Sequence, residues 1–273
     1  MNQRNYLMES DEESVRLDMK TDPVAVEKQA LWAGIKPGMR VADLGCGSGK
    51  TTYYLNKLVQ PLGSVVGVDM SPQRLQYAKD HYHHEAIEFA RADIRQPLND
   101  LGMFDFIWLR FVLEYYRVES LDIVKNISKI LKPGGILCLI DLDCNCLRYF
   151  GHSTRLEKYI NTMMDIIQND FNFDPYAGIK LYSYLYDTGY QDIDVDVRPH
   201  NLIFGELKDV DNFNFTKKVE TIGKHSGIQF DEYEDGFDGF FREFLEFFSD
   251  FRRFMYTPLI SCSGRKAVSA DGS

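Results

Sequence analysis

Residues 41–49 read Val41-Ala-Asp-Leu-Gly-Cys-Gly-Ser-Gly49, a short apolar strand with an acidic residue that runs straight into a glycine-rich loop. Glycine lets the backbone turn sharply and approach a ligand closely, because it has no Cβ to collide. A helix predicted to begin at Lys50 would present unpaired N–H groups to that ligand. The order of strand, glycine loop and helix therefore predicts a site for a nucleoside cofactor.

Details of the loop separate three kinds of site. A phosphate-binding loop, GxxxxGK[ST], would need glycine where Leu44 stands, and a dinucleotide loop, GxGxxG, would need a small residue where Lys50 stands. Asp43 is a poor neighbour for a pyrophosphate and a good one for an ammonium group. A ligand with an amine, a ribose and an adenine matches these residues best.

The loop pattern resembles motif I of the class I S-adenosylmethionine-dependent methyltransferases, and later motifs of that family follow in order. They are Val65–Asp69, Phe89–Ile94, Phe104–Leu113 and Leu131–Asp141. The resemblance covers residues 36–200 and, more loosely, an N-terminal run that is similar to small-molecule methyltransferases related to the ubiquinone and menaquinone biosynthesis enzymes. It implies S-adenosyl-L-methionine as the cofactor and S-adenosyl-L-homocysteine as its product.

The same resemblance assigns roles at the cofactor. Asp69 would bind the ribose hydroxyls with Met70 beside the adenine, while Asp93 would accept from the adenine amino group with Ile94 against the ring. Arg16 in the N-terminal run could pair with the methionine carboxylate. The full set of predicted cofactor-binding residues is Tyr6, Arg16, Asp43, Gly45, Cys46, Gly47, Gly49, Asp69, Met70, Asp93, Ile94 and Arg110.

Three polar residues are predicted to be catalytic because they follow the fourth and fifth strands. Arg110 comes just past the fourth strand, Glu114 a turn later, and Asp141 at the end of the fifth. Ligands bind at the carboxyl edge of such sheets, where a carboxylate could orient or deprotonate an acceptor amine or hydroxyl. A fixed base is optional for methyl transfer, since orientation and exclusion of water supply much of the catalysis.

No metal site is predicted. Adjacent histidines in the run His81–His84 cannot converge easily on one ion, and the pair Asp141 and Asp143 has no further acidic partner that the sequence can place.

Apolar strands alternate with helical periodicity through the first half of the chain. Strands are predicted at 39–44, 64–69, 87–90, 104–108 and 135–141, and helices at 50–59, 72–82 and 119–131. This rhythm predicts an α/β fold, a doubly wound, Rossmann-like and mostly parallel sheet with helices on both faces. The resemblance implies seven strands, of which the last, around Ser261–Lys266, is antiparallel.

The domain organisation follows from the breaks in that rhythm. Residues 1–35 are predicted to form an N-terminal helical lid and residues 36–268 the methyltransferase domain. Insertions at about 144–187 and 206–256 are rich in Tyr, Phe and Met and are expected to cover the substrate. The second contains a stripe at helical spacing that runs from Phe237 to Met255.

Composition bounds the partners. A formal net charge of −10 in 273 residues argues against nucleic acid, whose binders carry basic stripes. No apolar run reaches the length of a membrane span, and the polar, acidic start does not resemble a signal peptide, so a cytoplasmic location with reduced cysteines is expected. A homodimer stays open.

The predicted function is methyl transfer to a small, largely apolar or aromatic acceptor that is neutral or cationic. A base methylase of DNA or RNA is disfavoured, because Leu109-Arg-Phe-Val112 stands where an NPPY-like tetrapeptide would be. Two alternatives remain: a Rossmann-type NAD-dependent oxidoreductase, and a non-catalytic relative that only binds the cofactor.

Overall fold

A computed structural model of the chain describes residues 13–268. Helices and strands alternate along the first half: α1 (Glu13–Lys20), α2 (Pro23–Ala33), β1 (Arg40–Leu44), α3 (Lys50–Val59), β2 (Ser64–Asp69), α4 (Pro72–His81), β3 (Ile87–Arg91), β4 (Phe104–Arg110), α5 (Ser120–Ser128) and β5 (Leu131–Leu142). The remainder contains β6 (Tyr149–Phe150), α6 (Thr154–Asp170), α7 (Ala177–Asp187), β7 (Tyr190–Phe204), α8 (Asp209–His225), α9 (Phe237–Ser249) and β8 (Phe254–Lys266). Short 3-10 turns lie at Asn99–Leu101 and Leu113–Tyr115.

The strands form one mixed sheet. Strands β3, β2, β1, β4 and β5 lie side by side in that order and are parallel. Strand β8 runs antiparallel beside β5, and β7 and the two-residue β6 pair with β8. The predicted α/β class with an antiparallel last strand is confirmed, and β6 adds an eighth strand to the seven expected.

Local sequence signals account for where several helices begin and end. The side chains of Asp22 and Ser71 accept from backbone N–H groups at the starts of α2 and α4, and each is followed by a proline. Helix α2 ends at Gly34, whose φ of 95° suits a residue without Cβ. The predicted bounds 50–59 and 64–69 agree with α3 and β2.

Alternate side chains of the central strands fill two apolar layers, one on each face of the sheet. On β4, Ile107 and Leu109 belong to one layer, whereas Phe106 and Trp108 belong to the other, and all four are buried. Burial on both faces explains why the parallel strands are apolar along their length. The carboxyl ends of these strands are thereby fixed at one edge.

A third apolar cluster joins the two predicted insertions. Helices α6, α8 and α9 pack together on the ends of β7 and β8. Its buried members include Leu156, Tyr159, Met163, Ile203, Phe215, Phe230, Phe240, Phe244, Phe248 and Met255. This cluster forms a second core at the edge of the sheet where parallel strands end.

The helical stripe predicted to reach Met255 is wrong in its last part. Helix α9 ends at Ser249, Phe251 is exposed in a turn, and Met255 is buried in β8. The buried guanidinium of Arg253 donates to the carbonyls of Phe248 (2.5 Å) and Gly205 (3.1 Å). These bonds turn the chain from the helix into the strand, which helical spacing alone cannot reveal.

Helix α7 closes the first insertion but lies against the face of the sheet. Leu181 and Leu185 belong to the apolar layer that also contains Leu109. A Cβ on Gly178 would lie 2.8 Å from the carbonyl oxygen of Asp141, so the helix is in close contact with β5. The part of the insertion that extends beyond the sheet is therefore the segment around α6.

Within residues 13–268, none of the helices is both long enough and apolar enough to cross a membrane.

The contact between α7 and β5 can be tested by enlarging Gly178. Gly178→Val should lower the free energy of unfolding by about 1–3 kcal/mol, because the added methyls overlap the backbone of β5. Ser183→Val, on an exposed position of the same helix, should change it by less than about 0.5 kcal/mol. Denaturant unfolding of both variants measures the difference, and equal effects would contradict the close packing.

Candidate functional site

The loop between β1 and α3 is packed so closely that two of its positions require glycine. Gly45 and Gly49 have φ values of +75° and +84°, which residues with side chains rarely adopt. A Cβ on Gly45 would lie 2.5 Å from a methyl of Val112, and one on Gly49 would lie 2.6 Å from Cβ of Ala78. The loop therefore lies close to its neighbours, and Gly45 and Gly47 expose backbone to the space above the sheet.

That space is a cavity of about 1510 Å³ at the carboxyl edge of the parallel strands. Most of the sequence-predicted site residues border it: Arg16, Gly45, Cys46, Gly47, Asp69, Met70, Asp93, Ile94, Arg110 and Glu114. Asp43, Gly49 and Asp141 lie behind this wall and do not border the cavity. Tyr6 lies outside the described residues.

Asp69 connects the end of β2 to the glycine loop. The Gly47 N–H donates to Oδ2 of Asp69 (3.0 Å), and the Ser71 N–H donates to Oδ1 (2.9 Å). Nε of Arg74 lies 3.3 Å from Oδ1. Each carboxylate oxygen can accept more than one hydrogen bond, so Asp69 is still able to bind a hydroxyl group from the cavity.

Asp93 marks the far end of the cavity, beyond β3. Arg95 pairs with it through two nitrogens, and Nη2 lies 2.7 Å from Oδ2. These hydrogen bonds lower the pKa of Asp93, so it is a fixed carboxylate. Arg95 also lies over the ring of Tyr116, whose hydroxyl is 3.8 Å from the sulfur of Met70, and Ile94 is buried beside them. This end offers a flat, partly apolar surface with one acceptor.

Asp43 lies beneath the loop with a 3% exposed side chain and accepts a hydrogen bond from the Thr52 hydroxyl (2.6 Å). Burial raises the pKa of Asp43 to about 7, although Thr52 and the nearby Arg110 favour the ionised form. A ligand cation above the loop would add to that preference. Asp43 can thus act on a ligand in the cavity from behind the loop, through its charge.

Arg110 borders the cavity at the end of β4. Its guanidinium lies 4.1 Å from the centroid of the Phe111 ring, and its buried Nε has no hydrogen-bond partner among residues 13–268. Burial lowers the pKa of Arg110 to about 10, so the side chain remains charged at neutral pH. A charged group with an unused donor can bind an anionic ligand atom.

Glu114 and Asp141 form a buried pair of carboxyl groups. The backbone N–H of Glu114 donates to Oδ2 of Asp141 (3.1 Å), and that of Leu142 donates to Oδ1 (2.9 Å). Burial raises the pKa of both groups, and the neighbouring Glu114 raises that of Asp141 further. Asp141 thus orders the turn that carries Glu114, which itself borders the cavity and accepts from Asn145 (2.9 Å).

Two residues that the sequence did not single out also face the cavity, His200 on β7 and Lys218 on α8. The His200 ring lies 5.0 Å from that of Phe111. Burial, together with the positive charges of Arg110, Lys20 and Lys218, lowers the pKa of His200. For His200, the only signal in the sequence was its place near the polar end of a strand-like segment. For Lys218, no sequence pattern indicated that α8 would lie over the cavity.

Helix α1 lies across the glycine loop. Nζ of Lys50 donates to the carbonyl of Asp18 (2.7 Å), and a Cβ on Gly47 would lie 3.1 Å from a methyl of Leu17. Arg16 on the same helix borders the cavity. This position agrees with a covering role for the N-terminal segment, which stays a prediction.

Comparison with known sequences supports the interpretation of the glycine loop as part of a methyltransferase domain. Residues 42–139 match the model of a methyltransferase domain family. Demethylmenaquinone methyltransferase of Lactococcus lactis is 34% identical over 137 residues, which cover 49% of this chain and 53% of that protein. Arsenite methyltransferase of Aquipseudomonas alcaligenes is 36% identical over 115 residues, 38% of this chain and 33% of that protein. The chain thus spans about half or less of the length of these relatives.

Solved structures share the fold at low sequence identity. The YcgJ protein of Bacillus subtilis superposes with a TM-score of 0.59 at 14% identity, covering 90% of this chain and 99% of that one. Phosphoethanolamine N-methyltransferase 2 of Haemonchus contortus, solved with S-adenosyl-L-methionine, gives 0.55 at 16% identity over 94% of this chain and 57% of that one. Residues 42–139 are a class I S-adenosylmethionine-dependent methyltransferase domain.

Proposed function

We propose that this chain transfers a methyl group from S-adenosyl-L-methionine to a small, largely apolar or aromatic acceptor. One observation carries the proposal: the glycine loop, the acidic ends of β2 and β3 and the carboxyl of Glu114 border a single cavity. When bound, the cofactor supplies an electrophilic methyl group for direct displacement. The chain's own residues would hold both reactants in line and exclude water.

The cofactor end of the cavity lies over β1, β2 and β3. Asp69, with lone pairs to spare, would bind the ribose hydroxyls, and Asp93 would accept from the adenine amino group next to Met70. Arg16 would pair with the methionine carboxylate. This end would accommodate the cofactor because Gly45 and Gly47 expose backbone to the cavity. Lys50, where a dinucleotide loop needs a small residue, donates to Asp18 instead.

The acceptor would occupy the part of the cavity beneath α6 and α8. Apolar and aromatic side chains form this wall: Ile160, Met163, Met164, Ile167, Phe171, Phe173, Phe215, Val219 and Ile222. Such walls bury most of a small ligand and exclude water, and methionine side chains adapt to irregular shapes. This lining supports an acceptor with a substantial apolar or aromatic body.

Glu114 is the residue best suited to take the acceptor proton. It borders the cavity, its raised pKa makes it a stronger base than an ordinary glutamate, and the amide of Asn145 holds its carboxylate. Asp141 would position it by accepting its backbone N–H. Arg110, across the same space, would provide positive charge near the reacting groups.

Two further facts support parts of this proposal. The similar protein from Lactococcus lactis is named a demethylmenaquinone methyltransferase, a name that indicates a quinone as its acceptor. The chain's cysteines, at positions 46, 138, 144, 146 and 262, are all free thiols, which suits the cytoplasmic location that we include in the proposal.

Cofactor binding tests the role of Asp69. Asp69→Ala should weaken binding of S-adenosyl-L-homocysteine by about 1–3 kcal/mol, roughly 5- to 150-fold, because ribose hydroxyls would lose a buried acceptor. Isothermal titration of S-adenosyl-L-homocysteine and of NAD to both proteins gives the comparison. Asp100→Ala, an exposed site outside the cavity, is the control and should bind like the wild type. If NAD bound more tightly than S-adenosyl-L-homocysteine, the proposed cofactor would be wrong. If Asp69→Ala lost no affinity, the role of Asp69 would be wrong.

Turnover tests the role of Glu114. Glu114→Gln should lower kcat by about 10²–10⁴-fold while S-adenosyl-L-homocysteine binds within about threefold of wild type, because the amide keeps the shape but cannot take a proton. The base works only when it is deprotonated, and the pKa of Glu114 is raised. The kcat of the wild type should therefore rise with pH above the range in which an ordinary glutamate titrates.

The acceptor for this measurement would come from a methyl-transfer screen of phenols, quinols and aromatic amines. Glu157→Gln, on an exposed position of α6, is the matched control and should leave both kcat and the pH profile unchanged. A Glu114→Gln enzyme that keeps more than about a tenth of wild-type kcat would rule out general-base catalysis by this residue.

A further inference from the structure

One wall of the cavity carries two cationic side chains, Lys218 and Arg110, that form no salt bridge with any residue between 13 and 268. Lys218 borders the cavity from α8 and forms no ion pair among residues 13–268; its ammonium lies 5.6 Å from the centroid of the Phe215 ring. Arg110 borders the same space and has a buried Nε without a hydrogen-bond partner there. His200 borders the cavity as well, with its ring against Phe111.

The charges in this region act on one another. Burial and the cations Arg110, Lys20 and Lys218 lower the pKa of His200, so its ring is neutral and keeps one N–H to donate. Lys218 also acts on Glu114 and favours its ionised form, but burial outweighs this and raises the pKa of Glu114. A cation without an ion pair, such as Lys218, is unfavourable in a half-enclosed space, and a bound anion relieves that cost.

The acids around these cations have other interactions. The charges of Asp43 and Asp141 act on Arg110, but both residues have raised pKa values and lie behind the cavity wall. Asp22, which also acts on Arg110, accepts from the Val24 N–H at the start of α2. Asp211, on the cavity face of α8, stabilises the charge of the buried Arg253.

The order of the strands places this wall and the cofactor end at opposite sides of the sheet. Asp69 and Asp93 follow β2 and β3 on one side of β1, whereas His200 and Lys218 come from β7 and α8 beyond β5 and β8. Arg110, on β4, lies between the two halves. An anion held by Lys218 would therefore belong to the acceptor and not to the cofactor.

We infer that the acceptor carries an oxyanion, a carboxylate or a phosphate, that Lys218 binds together with Arg110 and the His200 N–H. Its apolar body would lie against the methionines and isoleucines of α6. This inference rests on the proposed function and deepens it. It also departs from the neutral or cationic acceptor that the overall charge of −10 suggests, because the local charge at this wall is positive.

Matched ligands test the inference. With S-adenosyl-L-homocysteine saturating, wild-type protein is titrated at low salt with 4-hydroxybenzoate, 4-hydroxyphenyl phosphate and the neutral 4-hydroxybenzamide. At least one anion should bind about tenfold or more tightly than the amide, and whichever anion does so identifies the carboxylate or the phosphate as the recognised group. Lys218→Met should abolish that preference and Lys218→Arg should keep it.

Lys217→Met is the control, because Lys217 points away from the cavity and pairs with Glu220 on the outer face of α8. It should bind the anions like the wild type. The inference is overturned if neither anion binds better than the amide, including the case in which no ligand binds, or if the preference survives in Lys218→Met. Failure of S-adenosyl-L-homocysteine to bind in the first step would instead overturn the proposed function.

Discussion

The site depends on how closely the glycine loop lies against β2. The Gly47 N–H donates to the Asp69 carboxylate at 3.0 Å, and the N–H groups of Gly45 and Cys46 donate to the carbonyl of Val68 at 2.7 and 2.9 Å. These bonds set the height of the loop, and the loop is the floor of the cavity. Helix α1 rests on the loop, so its position follows from the same bonds. A Cβ at Gly45 would overlap Val112, and one at Gly47 would press on Leu17 of α1.

Charge in the cavity is arranged in order along the sheet. Asp69 and Asp93 are the acidic side chains at the ends of β2 and β3, and the pKa of Asp93 is lowered. Glu114 in the centre, and Asp141 behind the cavity wall, have raised pKa values. Lys218 supplies positive charge from the far side. The low dielectric of the interior makes each of these groups sensitive to its neighbours, so protonation in the centre is coupled to what binds at either end.

The parallel half of the fold was predictable because its signals are local. Its central strands contain short apolar runs, such as residues 106–109 of β4. The loop at Gly45 and the proline at residue 72 mark boundaries that the structure reproduces within a few residues. The end of α9 was not predictable, since it depends on Arg253 reaching a carbonyl at Gly205, far away in the sequence. Tertiary contacts there override a helical pattern.

The candidate site divides in the same way. Residues of the motifs, such as Asp69 and Asp93, follow strands and could be assigned to one edge from the sequence. His200 and Lys218 reach the cavity only because the third apolar cluster brings α8 over the sheet, and no spacing in the sequence encodes that approach. Overall charge was a poor guide to charge within the cavity for the same reason: a sum over the surface does not report which groups converge.

The place of β8 in the sheet has a consequence for synthesis. This strand contains residues 254–266 but lies between β5 and β7, so both of those strands have an open hydrogen-bonding edge until β8 has been made. Most strands of the sheet are therefore synthesised before the gap between β5 and β7 can close. An unpaired strand edge can pair with another chain, so this interval favours association between nascent chains.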